Sequence, residues 1–285
     1  MSNQPEPRKI TLDLPQVRLT ALQWGDPEAP LALCLHGFPD SANTWRFLGP
    51  DLARAGYHVV APFTRGYAPS GLPNDNLFSV TALAGDASSI RRQLHPSGPA
   101  VAIGHDWGGI TAQALAAVPE SDFDRCVSLA IPSLWSLVDQ AQVHTRDAVL
   151  PLLAQLGRSW YIGFNQLPAL PERVSHPLIR HLWRSWSPGY DATEDLIGAL
   201  ATLATPAHQK AVFNYYRALR RVRGDEAWLR QPVVPVKYLH GATDGCFSPA
   251  LSRLTGSVEI PNAGHFLHLE RPRTVNAEVL AFLAG

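Results

Sequence analysis

The apolar positions of this chain fall into two rhythms. Lys9–Leu14 and Val17–Trp24 alternate apolar with polar residues, which predicts an antiparallel hairpin near the start. Leu31–Leu35 and His58–Ala61 are short and mainly apolar, the pattern of strands buried on both faces of a parallel sheet. Between them, Ala42–Ala55 brings Trp45, Leu48 and Leu52 to one side at helical spacing and predicts a single helix. A second helix is predicted over Val80–Leu94, then a strand over Pro99–Ile103 and an alanine-rich helix from Ile110 to Val118. Cys126–Ile131, Val233–His240 and Val258–Ile260 read as further strands. Pro272–Leu283 reads as a closing helix, with proline in its first turn. Strands alternating with helices predict an α/β fold with a mostly parallel, doubly wound sheet.

From about Pro132 to Gln231 the alternation stops. That stretch has no convincing strand, several prolines and many aromatics, among them Trp160, Tyr161, Trp183, Trp186, Tyr215 and Tyr216. It reads as a helical insertion over residues 133–231, a lid above the C-terminal ends of the strands, where ligands of such sheets bind. Residues 1–132 and 232–285 then form the core.

Composition narrows the partners. With 46% hydrophobic and 17% charged residues, a chain of 285 can bury a sizeable core. Lys plus Arg equals Asp plus Glu at 24 each, so no basic face is expected and nucleic acid is not a partner. Cys34, Cys126 and Cys246 lack metal-ligand spacing and read as small buried apolar groups in a reducing compartment. The polar start, Met1 to Pro7, has no apolar signal core, and no run approaches the roughly 20 apolar residues of a membrane helix. The expectation is a cytoplasmic protein without a membrane partner.

Four short segments carry chemistry. Gly104-His105-Asp106-Trp107-Gly108-Gly109 lies between a predicted strand and a predicted helix, the place and pattern of the α/β-hydrolase nucleophile elbow, with aspartate where serine is common. Its glycines suit a turn too tight for a Cβ two residues either side of the nucleophile. His36-Gly37-Phe38-Pro39-Asp40 follows the strand Leu31–Leu35, where this fold takes an oxyanion-hole amide. The donors would be the N–H groups of Phe38 and Trp107. Asp244 follows the strand Val233–His240, and His265 follows the last strand, so nucleophile, acid and histidine come in the order this fold uses. Taken singly, each segment has a plainer reading: a Gly-x-Asp-x-Gly turn, an Asp-Gly turn, a loop histidine. All four at strand ends in the required order favour the triad Asp106–His265–Asp244. His95, His105, His144, His176, His181, His208 and His268 have no such context and receive no role.

Aspartate at the elbow selects the reaction. A serine attacking an alkyl carbon would leave an ether, which water does not cleave under mild conditions. A carboxylate leaves an ester, which water activated by His265 can hydrolyse. The carboxylate, with an ordinary pKa of about 3.9, is also ionised without help from a base. An epoxide oxygen and a halide are the two leaving groups that fit.

At these residues the chain resembles the α/β-hydrolase-fold epoxide hydrolases of the aspartate branch. His36-Gly37-Phe38-Pro39 is similar to their oxyanion loop, in which the bond before proline is typically cis, and Gly104–Gly109 is similar to their nucleophile motif. Tyr161-Ile162-Gly163-Phe164-Asn165-Gln166-Leu167-Pro168 resembles the segment holding one lid tyrosine. Phe213-Asn214-Tyr215-Tyr216-Arg217 resembles the segment holding the other. The resemblance implies Tyr161 and Tyr216 as the ring-opening pair, lining the substrate site with Phe38 and Trp107. A phenol, with an ordinary pKa of about 10, stays protonated at neutral pH and can donate to the far more basic alkoxide. For Tyr216 the plainer reading is packing, since it shares a helical face with Val212, Phe213 and Leu219. The chain departs from the family pattern at Phe63, usually aspartate, and Ala68, usually glycine. The implied substrate is a small apolar epoxide with water, without cofactor or metal, in a monomer or homodimer. Haloalkane dehalogenation with Trp107 as halide donor, and a non-catalytic ligand receptor, are the alternatives.

Overall fold

The computed structural model of the protein describes residues 6–139, 146–224 and 226–285, so His144 lies outside the described residues. Eight strands form one sheet: β1 (Arg8–Asp13), β2 (Arg18–Trp24), β3 (Leu31–Leu35), β4 (His58–Pro62), β5 (Ala100–His105), β6 (Arg125–Leu129), β7 (Val236–Gly241) and β8 (Val258–Ile260). Their spatial order is β1-β2-β4-β3-β5-β6-β7-β8. β1 pairs antiparallel with β2, and β2 with β4, while every other pairing is parallel. The chain moves from β3 outward to β4, then returns across to β5. The adjacent ends of β3 and β5 are therefore the switch point at which such sheets open a crevice.

Alternation within the buried strands explains their unbroken apolar runs. Leu31, Leu33 and Leu35 join Ala100, Ala102 and Leu115 on one face of the sheet. Ala32 and Cys34 join Trp45, Val101, Ile103 and Val279 on the other. With both faces covered, period two leaves no polar position in β3.

Among the element boundaries that differ from expectation, three have a cause in the backbone. Ala42–Ala55 is two helices, a 3-10 turn at Ala42–Arg46 and α1 (Leu48–Arg54). Pro50 has no N–H to offer the Arg46 carbonyl, so one continuous helix cannot run through Phe47. β6 stops at Leu129 because Ala130 turns to a positive φ of 65°. β7 begins only at Val236, since Pro232 and Pro235 lack ladder donors and the Val233 amide donates instead to the Ala116 carbonyl. Two helices flank the elbow strand, α2 (Val80–Leu94) and α3 (Trp107–Ala116).

Between β6 and β7 the described residues are helical, without strands. The longest helices there are Arg146–Arg158, Ser175–Trp186 and Pro206–Ala218. The apolar faces of the latter two join Phe38, Trp107 and Phe266 in a third cluster, at the C-terminal ends of the strands, whereas Arg146–Arg158 leaves Leu150, Leu153 and Leu156 exposed. Ser175–Trp186 turns Leu178, Ile179, Leu182, Trp183 and Trp186 inward at helical spacing. No helix of the described residues is long and apolar enough to cross a membrane.

One buried ion pair ties this third cluster to the sheet. The Arg65 guanidinium, 2% exposed, donates two bonds of 2.7 Å to Asp86 on α2. It also donates to the Leu77 carbonyl at 2.8 Å and to Asp75 at 3.1 Å. The Arg65 carbonyl in turn accepts the Tyr215 hydroxyl at 2.7 Å, which pins the helix Pro206–Ala218 onto the loop after β4. Removing one partner of such a pair strands a buried charge. Arg65→Met is expected to lower the unfolding free energy in urea by about 3–5 kcal/mol. Adding Asp86→Leu should recover most of it. A loss under about 1 kcal/mol for the single variant would contradict this account.

Candidate active site

The elbow is a strained turn. Asp106 sits at φ 51° and ψ −117°, outside the regions that side chains favour. Its amide donates to the Leu129 carbonyl, and its own carbonyl accepts the Ile110 amide to start α3. The turn is so tight that a Cβ on Gly104 would fall 1.9 Å from the Gly108 carbonyl oxygen, and one on Gly108 1.9 Å from that of Leu35. Only glycine fits at either position. The result lifts the Asp106 side chain to the switch point between β3 and β5.

The loop after β3 reaches it there. The Phe38 amide donates to Asp106 Oδ1 at 2.8 Å, and the Phe38–Pro39 bond is cis. The Trp183 indole donates to the Pro39 carbonyl at 2.8 Å and holds the loop from above. The Trp107 amide lies in the first turn of α3, among the N–H groups that helical geometry leaves without an acceptor.

His265 bridges the two carboxylates. Its Nδ1–H donates to Asp244 Oδ2 at 3.0 Å, and its Nε2 lies 3.6 Å from Asp106 Oδ2. Asp244 Oδ1 accepts the amides of Cys246 at 2.7 Å and Phe247 at 3.1 Å. Burial works against charge on both members of the His265–Asp244 pair. It is outweighed for His265 by groups led by Asp244, which raise its proton affinity well above the usual imidazole value. It is outweighed for Asp244 chiefly by His265, which holds that carboxyl below its usual range. The pair is therefore imidazolium and carboxylate at neutral pH.

Both tyrosines stand over this group. The Tyr216 ring packs edge-on against Phe38 at 4.9 Å and Trp107 at 5.3 Å, and its hydroxyl is buried with no hydrogen-bond partner among the described residues. Tyr161 meets Tyr216 at 5.6 Å and Trp186 at 4.9 Å, and Trp186 packs on His265 at 4.9 Å. Burial, then the nearby Asp106 charge, pushes the Tyr216 phenol well above 10; burial likewise leads for Tyr161. Tyr215 faces the other way, with its hydroxyl on the Arg65 carbonyl. All seven residues expected from the sequence thus meet in one place.

Three further groups belong to the same neighbourhood and carried no role in the sequence. Cys246, buried as expected, lies in the site rather than in the sheet: its sulfur is 3.3 Å from the Tyr161 hydroxyl. Its position two residues after Asp244, in one loop, was the available signal. His105 and His268 pack behind His265, their rings 4.5 Å apart, and His105 Nε2–H donates to the His265 carbonyl at 3.0 Å. Burial keeps both neutral, with His268 lowered to about 3. Asp40, buried beside them, is pushed up to about 8 by that burial. Trp107 also lines a cavity of about 380 Å³, together with Phe78, Leu219 and Trp228 and with the charged Arg217, Arg221 and Glu226.

Comparison with known proteins agrees with this architecture. Residues 30–272 match the family described as alpha/beta hydrolase fold. The chain is similar to "AB hydrolase superfamily protein YfhM" of Bacillus subtilis, 29% identical over 91% of this chain and 92% of that one. It is similar to "Epoxide hydrolase A" of Mycobacterium tuberculosis, 29% identical over 98% of both. The solved structure of Epoxide Hydrolase A from Mycobacterium thermoresistibile superimposes with a TM-score of 0.76 over 98% of both chains at 22% identity, a likeness of fold. An aspartate on a strained strand-to-helix turn, facing a histidine and acid from later strand ends, accords with that match over most of its length: the chain belongs to the α/β-hydrolase fold family.

Proposed function

We propose that this hydrolase opens a small apolar epoxide to a vicinal diol through an alkyl ester on Asp106. The observation that carries the reading is the Tyr216 hydroxyl, buried beside the nucleophile without a hydrogen-bond partner among the described residues. An unpaired buried hydroxyl costs about 1–3 kcal/mol, and an epoxide oxygen supplies the missing acceptor. A departing halide needs no proton. Relatives named as epoxide hydrolases support the same choice.

In the first step Asp106 Oδ2 attacks a ring carbon, the C–O bond breaks, and the oxygen takes a proton from Tyr216 or Tyr161. In the second, water attacks the ester carbonyl and gives its proton to His265, which Asp244 orients and stabilises. The tetrahedral oxyanion forms where the Phe38 amide already meets Oδ1, with the Trp107 amide as second donor. Collapse breaks the ester C–O bond, and the acid proton left on Asp106 passes to the departing oxygen, which releases the diol and restores the carboxylate; the phenolate of the first step takes the proton that His265 gives up on esterification. His265 serves as base only when neutral. Alkylation of Asp106 removes one of the negative charges that hold its proton, so the intermediate itself makes the base available.

Residues 133–231 act as the lid of a core made of 1–132 and 232–285, since Tyr161, Trp186 and Tyr216 of that insertion cover Asp106 and His265. The cavity that Trp107 lines is within the size range of small-ligand sites and would take the remainder of the substrate.

His265→Gln, incubated with epoxides and haloalkanes, is expected to trap the ester. Intact mass then gains the whole epoxide, because nothing leaves. A gain of the alkyl group alone with halide release would mean dehalogenation, and no adduct from either ligand would mean a receptor. Tyr216→Phe should lower kcat/KM about 10- to 100-fold, less than a lone general acid because Tyr161 remains; full activity would remove Tyr216 from ring opening. In the wild-type enzyme, the ester-hydrolysis rate followed in a single turnover should rise with pH. Its midpoint should lie below the His265 titration of the resting enzyme seen by NMR, since esterification lowers the histidine's proton affinity. Both phenols titrate well above 10, so turnover should show no alkaline loss up to about pH 10.

A further inference from the structure

The reaction leaves one group in the site without work, the Cys246 thiol. Its sulfur, an Asp106 carboxylate oxygen and a His265 ring nitrogen all lie within 4.8 Å of one another, and all three residues are buried. We propose that Asp106, Cys246 and His265 form a binding site for a thiophilic divalent cation, zinc foremost, which blocks the enzyme reversibly by capping its nucleophile and its base together.

The donor set is the first reason. Thiolate, imidazole and carboxylate are the ligands zinc takes, and three of them leave a fourth position for solvent. The spacing is the second. Tetrahedral bonds of about 2.0–2.3 Å place ligand atoms roughly 3.3–3.7 Å apart, and Asp106 Oδ2 already stands 3.6 Å from His265 Nε2.

The third reason is that each ligand is held from behind. His265 Nδ1–H is fixed on Asp244 Oδ2 at 3.0 Å, the carboxylate–histidine arrangement that orients metal-bound imidazoles, and Nε2 has no hydrogen-bond partner among the described residues. The Phe38 amide occupies Asp106 Oδ1 and leaves Oδ2 for an ion. The Cys246 amide is anchored on Asp244 Oδ1 at 2.7 Å, with Tyr161 against the sulfur. Two anionic ligands match the charge of the cation. On binding, the thiol proton and the imidazolium Nε2 proton pass to solvent. A second set of donors, Asp40, His105 and His268, lies behind His265 and includes none of the reacting groups.

That the ion inhibits rests on the roles given under Proposed function; that it binds does not. The test titrates zinc chloride into full-length, EDTA-stripped protein by calorimetry. Cobalt(II) serves as a spectroscopic substitute whose thiolate charge-transfer band reports the sulfur ligand. Wild type is expected to bind one ion, show the band, and lose epoxide turnover competitively with substrate until EDTA restores it. Cys246→Ala should lose the band and weaken zinc by at least the roughly 10- to 100-fold typical of losing a supporting group, with the zinc inhibition constant shifted by the same factor. Cys246→Ser, which preserves size, should weaken it as well. Zinc affinity within about twofold of wild type in both variants, or a cobalt complex without the band, overturns the proposal. Metal binding with the band in a protein that turns over no epoxide when metal-free would leave the cation site standing and remove the reading above.

Discussion

The close approach of three backbone segments at the elbow sets the rest of this structure. β5 must end, reverse and begin α3 within the space between the Leu35 and Leu129 carbonyls, and that is possible only with Asp106 at positive φ and glycines at 104 and 108. Strain of this kind persists where its surroundings over-determine it. Here the surroundings are β3 and β6 on either side, paired in register with β5 up to Leu35↔Gly104 and His105↔Leu129. The same geometry that strains the backbone removes choice from the side chain. Asp106 emerges at one point and in one direction, at the crevice between β3 and β5.

Electrostatics around that point are arranged in layers. Nearest the crevice, two carboxylates and one imidazolium share a buried space: Asp244 is held by His265 and backbone amides, Asp106 by the Phe38 amide, and His265 Nε2 is left 3.6 Å from Asp106 Oδ2. Behind them, burial keeps His105 and His268 neutral and Asp40 protonated into the neutral range, so no further charge competes for the His265 proton. Above them, the phenols of Tyr161 and Tyr216 are kept protonated by burial. A charged core is thus enclosed by neutral hydrogen-bonding groups, which is the cheaper way to bury an ionic site.

The helical insertion is held to this arrangement by polar anchors as much as by apolar packing. Trp183 donates to the Pro39 carbonyl, and Tyr215 to the Arg65 carbonyl that the Asp86 pair fixes. Tyr215 and Tyr216 are neighbours in sequence with opposite tasks, because adjacent residues on a helix point about a third of a turn apart. One side of that helix grips the loop after β4; the other faces Asp106.

Much of this was legible in the residues themselves. Period-two alternation and buried apolar runs located the strands, since those patterns follow from covering one or two sheet faces. The order of Asp106, Asp244 and His265 at strand ends singled out three residues that the fold does bring together, since the elbow tolerates so few sequences. Boundaries set by missing amide donors, at Pro50, Pro232 and Pro235, were misjudged because hydrophobic periodicity carries no record of where hydrogen bonds must stop. Cys246, His105 and His268 were passed over for a different reason: nearness in sequence to Asp244, Asp106 or His265 does not tell which way a side chain turns. The sequence by itself determined which residue stands at the elbow, because aspartate in a Gly-x-x-x-Gly turn is a local fact. Only the tertiary structure decided which tyrosine faces it and which thiol stands beside it, because those depend on how helices distant in the chain come to rest on the sheet.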